Sequence, residues 1–395
     1  MQTVRKILLK PGKESSLKRS HLWVFSGAVQ AVEGSPEEGD WVAIHSSNGR
    51  FLALGHYSTG SILARVVDFS RREPGSGLWL EKLGQALALR ERLGFFADPA
   101  TDAFRLVNAE GDGLPGLIVD YYNGVAVMQA QTLGMFRNRE EIASALKCLL
   151  GERLEAFYDR GLSEAGGREN GAGGGQFLHG RSRAVEIKEH GHRFEVDFVA
   201  GQKTGFFLDQ RENRRLLEGL CAGRDVLDLF AYTGGFSVYA AKGGARTVVS
   251  VDVSGKALER ARHNLLLNGL DGPGYRQEKE DAFRYLDRLQ VAFDLIVLDP
   301  PAFAKHHPAV MQALNAYRTL NAKAMARIRK GGLLLTFSCS QRVSRDAFRK
   351  AVFAAAVQSR RGVRLLGQLA QPADHPVNLC HPEGEYLKGL LLALD

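Results

Sequence analysis

A chain of 395 residues, 45% hydrophobic and 24% charged, is longer than one ordinary core supports and has the composition of a folded globular protein, so two or three domains are expected. Fifty-two Lys and Arg against 44 Asp and Glu leave a formal charge of +8, which favours a polyanionic partner over an acidic small molecule. No run suits a membrane span, the basic N-terminus lacks the apolar core of a secretory signal, and Cys148, Cys221, Cys339 and Cys380 form no C-x-x-C pair; neither a membrane, a disulfide framework nor a metal site is indicated, and a reducing cytoplasm is the expected setting.

Residues 1–72 hold short β-like runs at 4–9, 41–45, 51–57 and 63–68 separated by glycine and polar turns, which predicts a small barrel. Their first turn region is basic: Arg5, Lys6, Lys10, Lys13, Lys18 and Arg19 stand against Glu14. A second basic cluster, Arg342, Arg345, Arg349, Lys350, Arg360, Arg361 and Arg364, stands against Asp346. Such clusters suit phosphate contacts, which fix position without reading sequence; a solvated face is the plainer alternative. The spacing of Leu80, Leu83, Leu87 and Leu89 predicts a helix over 78–93. A meander follows at 104–108, 117–121 and 125–131, with Asn123-Gly124 as a hairpin turn, then a helix over 139–150. The glycine-rich stretch 164–181 reads as an exposed loop, and strands resume at 184–188 and 193–198. Residues 73–190 thus form a linking α+β module without visible chemistry.

The chemistry lies beyond residue 190. GQKTGFFLDQRENRRLL (201–217) carries Asp209, Gln210 and Arg211 into a polar helix; it is a candidate lid over a ligand, or simply a helix cap with surface salt bridges. VLDLFAYTGGFSVYAAKGGARTVVSVD (226–252) reads as a strand at 226–230, a turn with Gly234 and Gly235, a helix around 237–242, and a strand at 247–251 stopping on Asp252. This is a βαβ unit with parallel strands. A glycine pair lets a ligand approach the backbone, and an acid ending the next strand can hold ribose hydroxyls. The turn lacks G-x-G-x-x-G spacing and no G-x-x-x-x-G-K-[ST] loop follows a strand, so a ribose site without a phosphate cradle suits S-adenosylmethionine better than NAD or ATP. The alternative is an ordinary strand-to-helix turn that needs glycine.

A helix over 255–268 follows, amphipathic through Ala257, Leu258, Ala261 and Leu265. Asp281 comes after a short strand, an apolar strand at 295–298 ends in Asp299-Pro300-Pro301, and GGLLLTFSCS runs out at Ser338, Cys339 and Ser340. Asp228 with Gly234 and Gly235, Asp252, Asp281, Asp299 and Cys339 therefore fall at the C-terminal ends of successive strands, the edge where α/β sheets bind ligands. That row points to methyl transfer.

From about 190 onward the chain resembles the class I S-adenosylmethionine-dependent methyltransferases. LKPGKESSLKRSHLWVFSGAVQAVEG followed by GDWVAIHSSNGRFLALGHYS resembles a PUA domain, a small RNA-binding barrel. With KTGFFLDQRENR, FAYTGGFSV, DPPAF, TFSCS and the C-terminal QPADHPVNLCHPEGEYLKG, the whole chain is similar to the bacterial large-subunit ribosomal RNA cytosine-5 methyltransferases. The resemblance implies an α/β protein: a PUA-like barrel (1–72), a central α+β module (73–190) and a Rossmann-like methyltransferase domain (191–395). It implies S-adenosylmethionine contacts at Asp228, Gly234, Gly235, Asp252, Asp281 and Asp299, joined by Gln210 and Arg211, and a nucleophile at Cys339. Large-subunit ribosomal RNA is the implied partner, met by Lys10, Lys13 and Arg19 beside His21, Trp23 and Phe25, although Trp23 and Phe25 suit barrel core equally. A homodimer is left open.

Chemistry gives its own reason for a cysteine. Carbon 5 of cytosine is a poor nucleophile, and addition of a thiolate to carbon 6 converts the ring into an enamine that can attack a sulfonium methyl. Asp299 is placed to hydrogen-bond the ring nitrogen or amino group and stabilise the resulting charge; the base that removes the carbon 5 proton is unassigned. The thiolate needs a pKa below the free value of about 8.5, for which Arg342, Arg345 and the helix after Ser344 are candidates. Against this stand Cys339 as a small buried hydrophobe, an exocyclic amine or ring nitrogen as methyl acceptor (D-P-P followed by an aromatic suits amino-group methylation), and an RNA-binding or assembly protein without catalysis. Another group of RNA cytosine-5 methyltransferases places a second cysteine, which assists release, where this chain has Pro301. His375, Glu383 and Lys388 line the substrate side or merely pack the last strand.

Overall fold

The computed structural model describes residues 4–163, 175–182, 184–304 and 309–395. Alternation of inward and outward side chains builds a six-stranded sheet from β1 (Arg5–Leu9), β2 (Trp23–Phe25), β3 (Val29–Glu33), β4 (Trp41–His45), β5 (Phe51–Tyr57) and β6 (Ile62–Asp68), in the order β2-β6-β5-β4-β1-β3. A short helix, α1 (Ser15–Lys18), joins β1 to β2. Ile7, Leu9, Leu22, Val24, Val42, Ile44 and Val66 fill its interior.

The next stretch gives α2 (Ser76–Arg92), β7 (Ala103–Asn108), β8 (Leu117–Tyr122), β9 (Val125–Ala130), α3 (Leu133–Arg137), α4 (Arg139–Leu150), β10 (Ala156–Leu162) and β11 (Gln176–His179). Its five-stranded sheet has the order β11-β10-β9-β8-β7. Asn123 and Gly124 both take positive φ, 43° and 92°, the left-handed pair that a two-residue hairpin between β8 and β9 requires. Of the glycine-rich stretch expected as a loop, 164–174 lie outside the described residues, and 176–179 form β11.

The expected boundary at 72 falls between the cluster inside the first sheet and the next one, but three residues of that sheet reach across it. Trp41, Leu54 and Val67 from the first sheet pack in one cluster with Trp79, Phe104 and Val119. Residues 1–187 form one compact unit together with 196–208 and 373–384. The last of these segments, expected in the methyltransferase domain, is held here by a buried cation. Arg90, fully buried, donates to both oxygens of Asp112 (2.6 and 2.9 Å) and to the carbonyl of Asp374 (2.7 Å), while Asp374 Oδ2 accepts from the backbone of Arg105 at 2.9 Å. A buried guanidinium needs such partners to be tolerated.

A hairpin of β12 (Val185–Glu189) and β13 (His192–Val196) carries the chain toward the second unit, which comprises 188–195, 209–372 and 385–395. It holds α5 (Arg211–Glu218), β14 (Asp225–Leu229), α6 (Gly235–Lys242), β15 (Thr247–Asp252), α7 (Gly255–Leu267), β16 (Tyr275–Lys279), α8 (Ala282–Arg288), β17 (Phe293–Leu298), α9 (Val310–Met325), β18 (Ile328–Ser338), α10 (Arg345–Ser359), β19 (Val363–Leu369) and β20 (Lys388–Leu394). The sheet order is β16-β15-β14-β17-β18-β20-β19, parallel except for β20. Val226, Leu227, Leu295, Ile296, Val297, Leu298, Leu334 and Leu335 are all fully buried, the unbroken apolar run of a sheet covered on both faces. Strand order reverses between β14 and β17. That reversal leaves a crevice at the carboxyl ends of the strands, where α/β sheets take their ligands.

Candidate active site

Asp228 lies one residue before the end of β14 and is 1% exposed. Its Oδ2 accepts from Ser237 Oγ at 2.6 Å, and Ser237 also meets Ser250 Oγ at 2.7 Å. Oδ1 has no hydrogen-bond partner among the described residues. Burial pushes the carboxyl up to about 7; the Ser237 hydrogen bond opposes this and the Asp252 carboxylate adds to it.

The turn after β14 is strained. Phe230 and Tyr232 take φ of 65° and 48°, and Gly234 follows at 78°, so two residues with large side chains sit in the left-handed region, a state that persists only where the surroundings enforce it. Asp252 supplies part of that enforcement: its Oδ2 accepts from Tyr232 N at 2.9 Å and its Oδ1 from Ser254 N at 2.8 Å. Each oxygen keeps a second acceptor direction. The two glycines have local reasons as well. A Cβ on Gly234 would lie 2.8 Å from Ala261 Cβ of α7, and one on Gly235 would lie 3.2 Å from Arg214 Cδ. Arg214 is held in turn by Glu189, which accepts at 2.8 and 2.7 Å.

Asp281 is the N-cap of α8: its Oδ1 accepts from Phe283 N and Arg284 N, both at 3.1 Å. Asp299, just past β17, accepts at Oδ1 from Gln210 Nε2 (3.0 Å), and Gln210 Oε1 accepts from Asn213 Nδ2 (2.6 Å). The 209–214 segment is therefore a packed wall rather than the lid expected from its polarity: Asp209, Gln210, Arg211, Asn213 and Arg214 are all buried. Tyr386 OH, two residues before β20, donates to Asp209 Oδ2 at 2.8 Å and fixes the wall from that side.

Cys339 follows β18, which pairs with β17 so that Leu298 faces Thr336. Its Sγ lies 3.8 Å from the carbonyl oxygen of Pro300, so the thiol and the segment after Asp299 meet. Ser338 and Ser340 are fully buried and bond Tyr317 OH of α9 at 2.9 and 3.1 Å. Cys339, between the two anchored serines, is half-buried. Cys221, by contrast, is buried against the Leu217 carbonyl (3.1 Å), and burial pushes its thiol up to about 12. Cys148 and Cys380 are exposed. Arg345, expected beside the thiol, bonds Glu385 and the Leu369 carbonyl, and Arg342 is exposed.

The sequence leaves Lys388 open between the substrate side and packing of the last strand. Lys388 begins β20 opposite Ser338, is 3% exposed, and donates to the Ser340 carbonyl at 2.6 Å. A lysine leading the apolar run KGLLLAL was the available signal.

An adenosine-bearing cofactor fits this edge: one buried carboxylate oxygen, on Asp228, awaits a donor, and a second carboxylate with spare acceptor directions ends the next strand. A family model described as S-adenosylmethionine-dependent methyltransferase matches residues 169–377. The chain belongs to that methyltransferase family. S-adenosylmethionine is its cofactor. A second family model, for a PUA-like domain, matches residues 7–69 of the methyltransferase. Two similar curated proteins are both named ribosomal RNA large subunit methyltransferase I. One, from Alteromonas mediterranea, is 38% identical over 391 residues; the other, from Shewanella amazonensis, is 39% identical over 400 residues; each alignment covers 98% of both chains. Among solved structures, one described as a SAM-dependent methyltransferase from Streptococcus mutans shares the fold with a TM-score of 0.85 at 23% identity, covering 99% of this chain and 100% of that one.

In the first unit of the methyltransferase, Lys10, Lys13 and Arg19 are exposed around α1, with Lys10 Nζ on the Gly27 carbonyl at 3.1 Å. Trp23 is engaged: its Nε1 donates to Glu110 at 3.0 Å and its ring lies 4.4 Å from that of His381. Phe25 is 45% exposed. No helix among the described residues is long and apolar enough to cross a membrane.

Proposed function

We propose that this methyltransferase places a methyl group on carbon 5 of a cytosine in large-subunit ribosomal RNA through a transient bond between Cys339 and carbon 6. The observation that carries the reading is the Cys339 thiol lying 3.8 Å from the Pro300 carbonyl, on the segment that leaves Asp299. The names of the 38–39% identical relatives support the RNA substrate. Asp228, Gly234, Gly235, Asp252, Asp281 and Asp299 hold the cofactor, joined by Gln210, which also donates to Asp299, and by Arg211. When bound, S-adenosylmethionine supplies an electrophilic methyl group on a sulfonium.

Cys339 attacks carbon 6 as the thiolate; a C–S bond forms and the C5–C6 π pair moves into the ring, leaving carbon 5 nucleophilic. Asp299, aimed by Gln210, acts in its acid form: it donates a proton to the ring nitrogen where addition puts negative charge, accepts from the amino group, and takes the proton back when the C5–C6 double bond returns. After methylation, loss of the carbon 5 proton restores the C5–C6 double bond and expels the thiolate. Pro301 stands where a second thiol assists this release in another group, so the chain must manage it differently.

The test is to incubate the protein with labelled S-adenosylmethionine and unmodified large-subunit ribosomal RNA, digest the RNA and identify the labelled nucleoside. Wild type gives 5-methylcytidine, and Cys339→Ala binds the cofactor yet gives none. Label on an amino group, or full product from Cys339→Ala, overturns the reading in favour of amine methylation; no label from wild type favours a binding protein.

A further inference from the structure

Lys388 is a buried lysine, and among the described residues its ε-nitrogen makes one hydrogen bond, to the carbonyl of Ser340 at 2.6 Å, and none to an acidic side chain. It is 3% exposed at the head of an otherwise apolar strand, registered against Ser338, so Cys339 lies between its cross-strand neighbour and its hydrogen-bond acceptor. An ion so placed is costly unless a negative charge compensates it. Glu385 and Arg345 are the other charged groups that act on it, and they are bound to each other. The neighbouring group able to add a negative charge is the Cys339 sulfur, which favours the protonated amine.

We propose that Lys388 is the positioning residue that keeps Cys339 as a thiolate and receives it again when the adduct breaks down. The inference rests on Cys339 being the nucleophile. In the first step the S–H bond breaks and an N–H bond forms on the ε-amine, the electron pair staying on sulfur. In the last step a base takes the carbon 5 proton, the C5–H pair becomes the C5–C6 π bond, and the C6–S pair returns to sulfur beside the ammonium. A cation next to the leaving sulfur lowers the barrier to its departure, which serves the function of the thiol that Pro301 replaces. Burial lowers the lysine to about 8, and the Cys339 sulfur acts in the opposite direction, holding the proton on the amine.

The experiment uses full-length protein without RNA. Iodoacetamide alkylation of Cys339 is followed by peptide mass spectrometry from pH 5 to 10 in wild type, Lys388→Met, Lys388→Gln and Lys388→Arg, with Cys148 as internal reference and thermal melting as the check of folding. The expected result is a wild-type midpoint below the free-thiol value of about 8.5 and a rise of about one pH unit or more in Lys388→Met, seen as about a tenfold slower reaction at pH 7. Lys388→Arg keeps the low midpoint because its charge persists. Lys388→Gln retains a donor for Ser340 without the charge, so it separates thiolate stabilisation from a purely structural bond should Lys388→Met fail to fold. An unchanged midpoint in a folded Lys388→Gln protein overturns the proposal. Because the titration needs no substrate, its failure is distinct from failure of the cytosine assignment, which the nucleoside digest reads.

Discussion

Gln210 donates its side-chain amide to Oδ1 of Asp299 at 3.0 Å while its own oxygen is held by Asn213 at 2.6 Å. Both hydrogen bonds are made by a 2% exposed side chain, so the amide has no freedom to flip and the carboxylate is oriented from behind. Gln210→Leu removes the donor at similar volume. Methyl transfer is expected to fall by about tenfold or more, the loss of one charge-assisted hydrogen bond of about 1.5–3 kcal/mol, with a smaller change in cofactor affinity. Gln210→Glu sets a carboxylate against a carboxylate and is expected to be worse. Turnover measured beside calorimetric cofactor binding checks this; a defect confined to affinity assigns Gln210 to the cofactor instead.

Gly234 combines two demands. Its φ of 78° is unfavourable for L side chains, and a Cβ there would lie 2.8 Å from Ala261 Cβ. Gly234→Ala is expected to destabilise the fold by about 2–5 kcal/mol, of which about 1–2 is the left-handed backbone and the rest overpacking of about 1–3 kcal/mol. Ala261→Gly in the same chain relieves the packing part alone. Urea denaturation of the two single variants and the double variant measures the coupling; strictly additive changes rule out the contact between the two positions.

Asp228 makes stability depend on pH in the direction opposite to a salt-bridged carboxylate. Burial raises it from an ordinary 3.8 to about 7 in the folded chain, so between those values the native state holds a proton that the unfolded state has lost. Stability from this group is fully present below about 4 and drains away as pH rises through 7. Asp228→Asn keeps an acceptor for Ser237 and removes the charge. The variant is expected to gain stability relative to wild type at pH 8 but not at pH 5, read from denaturation midpoints at the two pH values, and to bind S-adenosylmethionine more weakly. An equal shift at both pH values sinks the argument.

The methyltransferase sheet was legible because buried parallel strands are continuous apolar runs: 295–298 in the sequence became Phe293–Leu298, and 247–251 became Thr247–Asp252. Strands β2 and β3 escaped because Trp23–Phe25 spans three residues and Val29–Glu33 is mostly exposed, without clean alternation. β10 escaped because Asp159 is buried within it. Position at the sheet edge could be read for Asp252 and Asp281, but not that one ties the strained turn and the other caps α8, since both roles involve backbone N–H groups. The polar DQRENR segment suggested exposure; Arg214 is buried because Glu189, 25 residues away, pairs with it. The 373–384 segment depends on a bond between residues 284 apart, Arg90 to Asp374, which no local pattern encodes.

Lys10, Lys13 and Arg19 offer the remaining prediction. They are exposed on the turn and short helix that follow β1, whereas neighbouring Lys18 is already paired with Glu14. Side chains that neutralise phosphates release counterions, so each contributes about 0.7–0.9 to the slope of log affinity against log salt. Reversing all three charges is expected to weaken RNA binding and flatten that slope by about 2, with cofactor affinity unchanged. Filter binding of ribosomal RNA fragments across a salt series provides the measurement. A slope equal to that of wild type excludes these three side chains from the RNA interface and shifts attention to the exposed arginines of α10 and the turn before it.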